Sequence, residues 1–183
     1  MKNKLEDYIL TIPNVLTDTL CKKVIKELKK ADWGDGNYYT RRKDWNKKSG
    51  CPSGTFDTLP SDQDIKNGIW RAIHKYVIEE LKFHWFAHWD GFSALKFHRY
   101  KKNQFAEKHC DQYAQIFKKG IPILSIIGSL NNNYEGGELI FFKDKEYKLK
   151  AGEILMFPSN FLYPHKVMPV KKGARYTYVS WVY

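Results

Sequence analysis

From Phe92 to Tyr183 the apolar residues recur with a period of two, in short stretches separated by turn signals. No other feature narrows the fold as much, because a period of two is the signature of strands with alternating faces. Phe92–Tyr100, Ile123–Leu130, Glu138–Phe142, Glu153–Phe157, Tyr163–Met168 and Arg175–Tyr183 read as strands. Asn131-Asn132-Asn133, Gly136-Gly137, Ala151-Gly152, Pro158-Ser159-Asn160 and Lys172-Gly173 divide them. Several short strands at this spacing predict a β-sandwich or barrel.

Upstream the period is helical. Tyr8–Ile12 reads as a short strand, broken at Pro13. Thr17 is then expected to cap a helix from Asp18 to about Lys30, with Leu20, Cys21, Val24, Ile25 and Leu28 on its apolar stripe. Lysines 22, 23, 26, 29 and 30 cover its other face. Ser61 is expected to cap a second helix from Asp62 to about Phe83, its apolar face made by Ile65, Ile69, Ile73, Tyr76, Val77 and Leu81. Residues 32–60 have no sustained period and carry Trp33, Tyr38, Tyr39, Arg41, Arg42 and Trp45, so they read as a long aromatic and basic loop with one short strand. Helices first and strands later argue against an alternating α/β fold. At 183 residues the chain is expected to form a single domain, with residues 1–91 as helical support and substrate loop and residues 92–183 as the β core.

Composition bounds the class. With 43% hydrophobic and 16% aromatic residues the chain is too apolar for a disordered protein. No apolar run approaches the roughly 18 residues that would span a bilayer. The N-terminus has no signal-type apolar stretch, so a cytoplasmic protein is expected. Cys21, Cys51 and Cys110 form no CxxC pair and predict neither a disulfide framework nor a thiolate zinc site. Cys21 reads as helix core and Cys110 as packing. The formal net charge is +11, carried by lysines spread along the chain, which reads first as a solvated surface and second as a polyanion-binding one.

Two His-x-Asp triplets occur, His88-Trp89-Asp90 and His109-Cys110-Asp111. Residues i and i+2 share a face on a strand but not on a helix. His88 and Asp90 fall at the expected end of the second helix. His109 and Asp111 fall among strands, where they can close on one ion. His165, on a strand after Pro164, is the candidate third ligand, and two histidines with one carboxylate on one side of an iron leave positions open on the other. Alone, His109 and His165 each read more readily as packed histidines. Arg175 opens the last strand, where alternation puts it on one face with Thr177, Val179 and Trp181, and Tyr176, Tyr178, Ser180 and Val182 on the other. A guanidinium on an inward face needs an anion, and a dicarboxylate accepts its two-pronged contact. An edge arginine reaching solvent is the other reading of Arg175.

In these blocks the chain resembles the prolyl 4-hydroxylase branch of the iron- and 2-oxoglutarate-dependent oxygenases. The resemblance is carried by Phe97-His-Arg-Tyr100, Gln104-Phe-Ala-Glu-Lys-His109-Cys-Asp111, Ser125-Ile-Ile-Gly-Ser-Leu-Asn131, Tyr134-Glu-Gly-Gly-Glu-Leu139, Gly152-Glu-Ile-Leu-Met-Phe157, His165-Lys-Val-Met-Pro-Val170, Gly173-Ala-Arg175-Tyr176 and Trp181. It implies a double-stranded β-helix, the cupin-like jelly roll. Fe(II) would be held by His109, Asp111 and His165. Arg175 would pair with the distal carboxylate of 2-oxoglutarate, assisted by Tyr100 and with Thr177 alongside, dioxygen would be the co-substrate, and ascorbate a supporting reductant. Trp181 would lie near the substrate, with Arg99 and, in the long loop, Tyr39 as further substrate contacts. A peptide or protein substrate hydroxylated at proline is implied, acted on by a monomer or weak oligomer.

The chain departs from the family's pattern in two places. Lys119-Gly-Ile-Pro122 stands where an arginine is common, and Leu139 where threonine is common. Both bear on the oxidised residue rather than on the iron. Two rival readings are a nucleic-acid dealkylase, prompted by the charge, and a non-catalytic jelly-roll binding module. Trp181 stands where such dealkylases carry a second arginine, and the complete His/Asp/His/Arg set argues against the inert module.

Overall fold

The computed structural model describes residues 4–34, 52–86, 91–112 and 120–183. Its first helix, α1 (Asp18–Leu28), begins where expected, with the Thr17 hydroxyl accepting a hydrogen bond from the Leu20 N–H at 3.2 Å. Cys21, Val24 and Leu28 are buried, and the five lysines of the opposite face are exposed. The second helix, α2 (Asp62–His74), runs on through a wider π-type turn, Lys75–Glu80. Ser61 does not cap it. Its hydroxyl and N–H instead donate to the Glu27 carboxylate, at 2.8 and 3.1 Å, which ties α2 to α1. The opening strand is also shorter than expected. Leu5–Tyr8 is a 3-10 turn, and β1 covers only Leu10–Ile12.

The remaining strands are β2 (Ser53–Thr55), β3 (Lys96–Tyr100), β4 (Ala106–His109), β5 (Leu124–Ser129), β6 (Glu135–Gly136), β7 (Leu139–Phe141), β8 (Lys145–Tyr147), β9 (Ile154–Pro158), β10 (His165–Val167), β11 (Val170–Lys172) and β12 (Arg175–Val182). Six strands form one sheet in the order β1-β9-β5-β12-β3-β2, four form a second in the order β4-β10-β7-β8, and β11 pairs with β6. Every pairing is antiparallel. The two larger sheets make the double-stranded β-helix.

Two cores result. Val24, Leu28, Ile65, Ile69 and Ile73 of the helices pack against Phe97, Ile126, Met156, Tyr178 and Val182 on one face of the six-stranded sheet. Tyr100, Ile127, Leu155 and Phe157, on the other face, pack against Leu139, Phe141 and Val167 of the four-stranded sheet. The large sheet is therefore covered on both sides. This modifies the reading of β12, because Tyr178 and Val182 are as deeply buried as Arg175 and Thr177. Alternation sends the two sets into different cores, not one inward and one to solvent.

Tyr178 fits because its register partner on β5 is Gly128, and a Cβ built there would run into the tyrosine ring. Among the described residues no helix is long and apolar enough to cross a membrane.

Candidate metal centre and co-substrate pocket

β4 and β10 bring the two histidines together. His165 and His109 are register partners across this antiparallel pair, with ring centroids 4.4 Å apart. His109 is the last residue of β4, and Asp111 lies in the bend beyond it. The chain's turn after β4, rather than strand alternation, thus swings the carboxylate back to the imidazoles. Asp111 Oδ1 is 3.5 Å from His109 Nε2 and 3.9 Å from His165 Nε2. One ligand atom from each residue falls within 4.8 Å of the others. Two donors held at about 2.1 Å from one ion at right angles stand about 3 Å apart, so a single ion can gather this set.

The second nitrogens support the same reading. His109 Nδ1 is 2.7 Å from the Glu107 carbonyl and His165 Nδ1 is 3.2 Å from the Tyr163 carbonyl. A carbonyl only accepts, so each Nδ1 carries the hydrogen and each Nε2 is left with a lone pair aimed at the centre. His165 is further fixed by stacking on Phe141 and by an edge contact with Phe157, at 5.2 and 5.0 Å.

Electrostatics separates the three. Burial pushes the Asp111 carboxyl up, but His165 and His109 outweigh it and hold it well below the usual carboxylate range. Burial lowers His165 to about 4, opposed by Asp111. His109 is also pushed down by burial, yet its hydrogen bond and charge interaction with Asp111 raise it overall. A proton at the trio therefore sits on His109, and a bound metal displaces it.

The large sheet supplies the adjoining wall. Arg175, Thr177 and Val179 of β12 stand opposite Tyr100, His98 and Lys96 of β3. Arg175 is 3% exposed, its guanidinium carbon lies 4.9 Å from the Tyr100 ring centroid, and its Nε is buried with no hydrogen-bond partner among the described residues. A buried guanidinium left in that state calls for an anion, which fits a dicarboxylate. Gly137, at φ +70°, lets the turn before β7 lie against Arg175, since a Cβ there would stand 3.0 Å from its Cδ. Thr177 is buried beside it, and Trp181 is buried further along β12, opposite Ser125.

Two residues of this wall escaped the sequence reading. Lys96 is 3% exposed, with Nζ 5.6 Å from the ring of Phe56. Burial lowers it to about 8, against the upward pull of Asp111. His98 is held well below its usual value by burial and then by Lys96, Arg175 and His109, with Asp111 opposing. It is neutral, within electrostatic reach of both Arg175 and the triad. Alternation from Tyr100 would have found both residues.

Arg99 belongs elsewhere. It lies on the opposite face of β3, 4.5 Å from the Trp33 ring, whose indole N–H donates to the Leu28 carbonyl at 2.9 Å. The structure thus separates Arg99 from the pocket and sets it against the helical layer. Tyr39, with the rest of its loop from Asp35 to Cys51, and the His88–Asp90 pair lie outside the described residues.

A double-stranded β-helix with a two-histidine, one-carboxylate centre beside a buried arginine defines a class of non-haem iron enzymes. The model of the 2OG-Fe(II) oxygenase superfamily matches residues 95–183. A PKHD-type hydroxylase of Crocosphaera subtropica is 30% identical over 183 residues, covering 96% of this chain and 78% of its own. Another, of Gloeothece citriformis, is 26% identical over 185 residues, covering 95% and 77%. The viral collagen prolyl hydroxylase of Paramecium bursaria Chlorella virus-1, solved with 2-oxoglutarate, has a TM-score of 0.68 at 18% identity, over 96% of this chain and 94% of that one. A Pseudomonas putida prolyl-4-hydroxylase gives 0.69 at 16%, over 96% and 91%. A Trichoplax adhaerens prolyl hydroxylase, in complex with a hypoxia inducible factor oxygen degradation domain peptide fragment, gives 0.68 at 16%, over 97% and 84%.

The chain belongs to the 2OG-Fe(II) oxygenase superfamily, on the branch that holds the PKHD-type hydroxylases. It is a 2-oxoglutarate-dependent dioxygenase whose cofactor is Fe(II) and whose co-substrates are 2-oxoglutarate and dioxygen.

Proposed function

We propose that this enzyme hydroxylates a proline residue within a peptide or protein. The reading is supported by the gathering of His109, Asp111 and His165 within 4.8 Å of one another and by a buried Arg175 on β12, in a fold shared with prolyl hydroxylases. One of those neighbours is in complex with a peptide. The assigned roles follow from the donor atoms. His109 Nε2, Asp111 Oδ1 and His165 Nε2 hold the metal. Arg175 offers its two-pronged edge to the distal carboxylate of 2-oxoglutarate, with the Tyr100 hydroxyl donating to the same group and Thr177 lining the passage between. Trp181 borders the substrate.

When bound, the iron lets one oxygen atom of O2 enter a substrate C–H bond while the other enters the 2-oxoglutarate that becomes succinate and CO2. The protein's share is to fix these partners and exclude water, while the cofactor does the oxidation. We assign the enzyme to the cytoplasm, as a single domain that is monomeric or weakly associated, with ascorbate as a supporting reductant.

The test is succinate release with proline-containing peptides, together with a product heavier by one oxygen atom located on proline by mass spectrometry. Stimulation by free amino acids or nucleic acid alone would overturn the assignment.

A further inference from the structure

His98 lies on the face of β3 that bears Tyr100, the face turned to the four-stranded sheet that carries His165 and His109. Both neighbouring strands fix its place. Thr177 of β12 is its register partner on one side and Gly54 of β2 on the other, where a Cβ would stand 3.5 Å from the imidazole Cδ2. Its ring meets that of Tyr100 edge-on, at 6.1 Å between centroids. Arg175, His109 and Asp111 all act on its charge.

Among the described residues neither ring nitrogen of His98 has a hydrogen-bond partner. The imidazole is neutral, chiefly through burial, so one nitrogen carries a hydrogen and the other a lone pair. A polar group withdrawn from water needs a partner, and a bound ligand supplies one.

The spacing along β3 identifies the ligand atom. Arg175 is the register partner of Tyr100, and His98 stands one pleat further along the same face, roughly 6.7 Å away. A five-carbon diacid is about as long from oxygen to oxygen. With its distal carboxylate on Arg175, its other end comes level with His98, where His109 and Asp111 also exert their influence. A 2-oxo acid grips a metal with its keto oxygen and one oxygen of the adjacent carboxylate. The second oxygen of that carboxylate is left for a protein donor. A neutral N–H suits it, because a cation placed there would repel the metal ion.

We propose that His98 binds the co-substrate by donating its ring N–H to the 1-carboxylate of 2-oxoglutarate, so that β3 and β12 together hold both ends of the molecule. This rests on the reading of Arg175 given above as the anchor of the distal carboxylate.

The test measures binding to the whole protein loaded with Mn(II), so that no turnover is required. Two probes are used: 2-oxoglutarate, by direct calorimetry, and 2-oxopentanoate, by competition. The second has a methyl group in place of the distal carboxylate. His98→Leu is expected to weaken both by the same factor, about tenfold to a hundredfold, and to leave their ratio intact. Its Mn(II) affinity and its melting temperature without co-substrate should match the wild type. His98→Asn or His98→Gln, whichever amide falls where the ring N–H was, should regain part of the loss. Arg175→Gln should erase the preference for 2-oxoglutarate over 2-oxopentanoate.

Unchanged affinities in His98→Leu, or a loss confined to 2-oxoglutarate, overturn the proposal. So does a uniform loss that neither amide restores, or one accompanied by weaker Mn(II) binding, because packing or the triad is then what was disturbed. A preference for 2-oxoglutarate that survives Arg175→Gln overturns the reading of Arg175, and His98 is then judged by the uniform loss alone.

Discussion

His165 and His109 stand directly opposite one another across β10 and β4, so the two nitrogen ligands are set by backbone pairing before any metal arrives. Their Nδ1 atoms are already engaged by carbonyls, which leaves little rotation to freeze on binding.

Metal affinity should therefore depend on single side chains and not on refolding. His109→Ala is expected to weaken Mn(II) binding by about a hundredfold or more, beyond the effect of losing an outer partner. The wild type should gain thermal stability when Mn(II) is added and lose it on chelation, and the variant should show no such gain. Anaerobic titration and a melting series check both.

Arg175→Gln removes the charge but keeps much of the volume. The KM for 2-oxoglutarate should rise by about a hundredfold, with Mn(II) affinity unchanged. A parallel loss of metal binding would show that Arg175 supports the triad instead of the co-substrate.

The large sheet has one point of extreme closeness. Gly128→Ala should destabilise the fold by about 3 kcal/mol, because the added methyl meets Tyr178, which is 0% exposed. Tyr178→Leu in the same chain should recover part of the loss, read from denaturant midpoints.

Lys96 gives stability a pH dependence with a definite sign. Its ordinary value is 10.5 and burial lowers it to about 8 in the folded chain. Between these values the unfolded chain binds more protons, so stability rises with pH across this window. Below it both states are charged and the burial penalty is complete. Above it both are neutral and the penalty is gone, a difference of about 3 kcal/mol. The metal-free wild type should therefore gain stability between pH 7 and 10 relative to Lys96→Met, measured by urea unfolding.

Much of this was legible in the sequence because the relevant signals are periodic. The period of two gave the main strands, the helical stripes gave α1 and α2, and Arg175 with Thr177 was assigned to one face by alternation. Other features have no local signal. β6, β8 and β11 are two or three residues long and exist through their partners, and Asp111 reaches the histidines through a bend instead of a strand. Ser61 has the chemistry of a cap, but Glu27, 34 positions away in sequence, claims it first. Arg99 was singled out in the sequence and Lys96 passed over for one shared reason. Both are basic residues of β3, and only parity relative to Tyr100 tells which enters the pocket.

The covering of the large sheet on both sides carries a penalty for error. A slip of β12 by one position would thrust phenol rings at the co-substrate and bury a guanidinium under α1 and α2. No misaligned version of this strand can be structurally sound yet chemically idle, or active yet poorly packed. Quality control of folding and selection for turnover thus act on the same hydrogen-bond ladder, and a mutation that loosens one loosens the other.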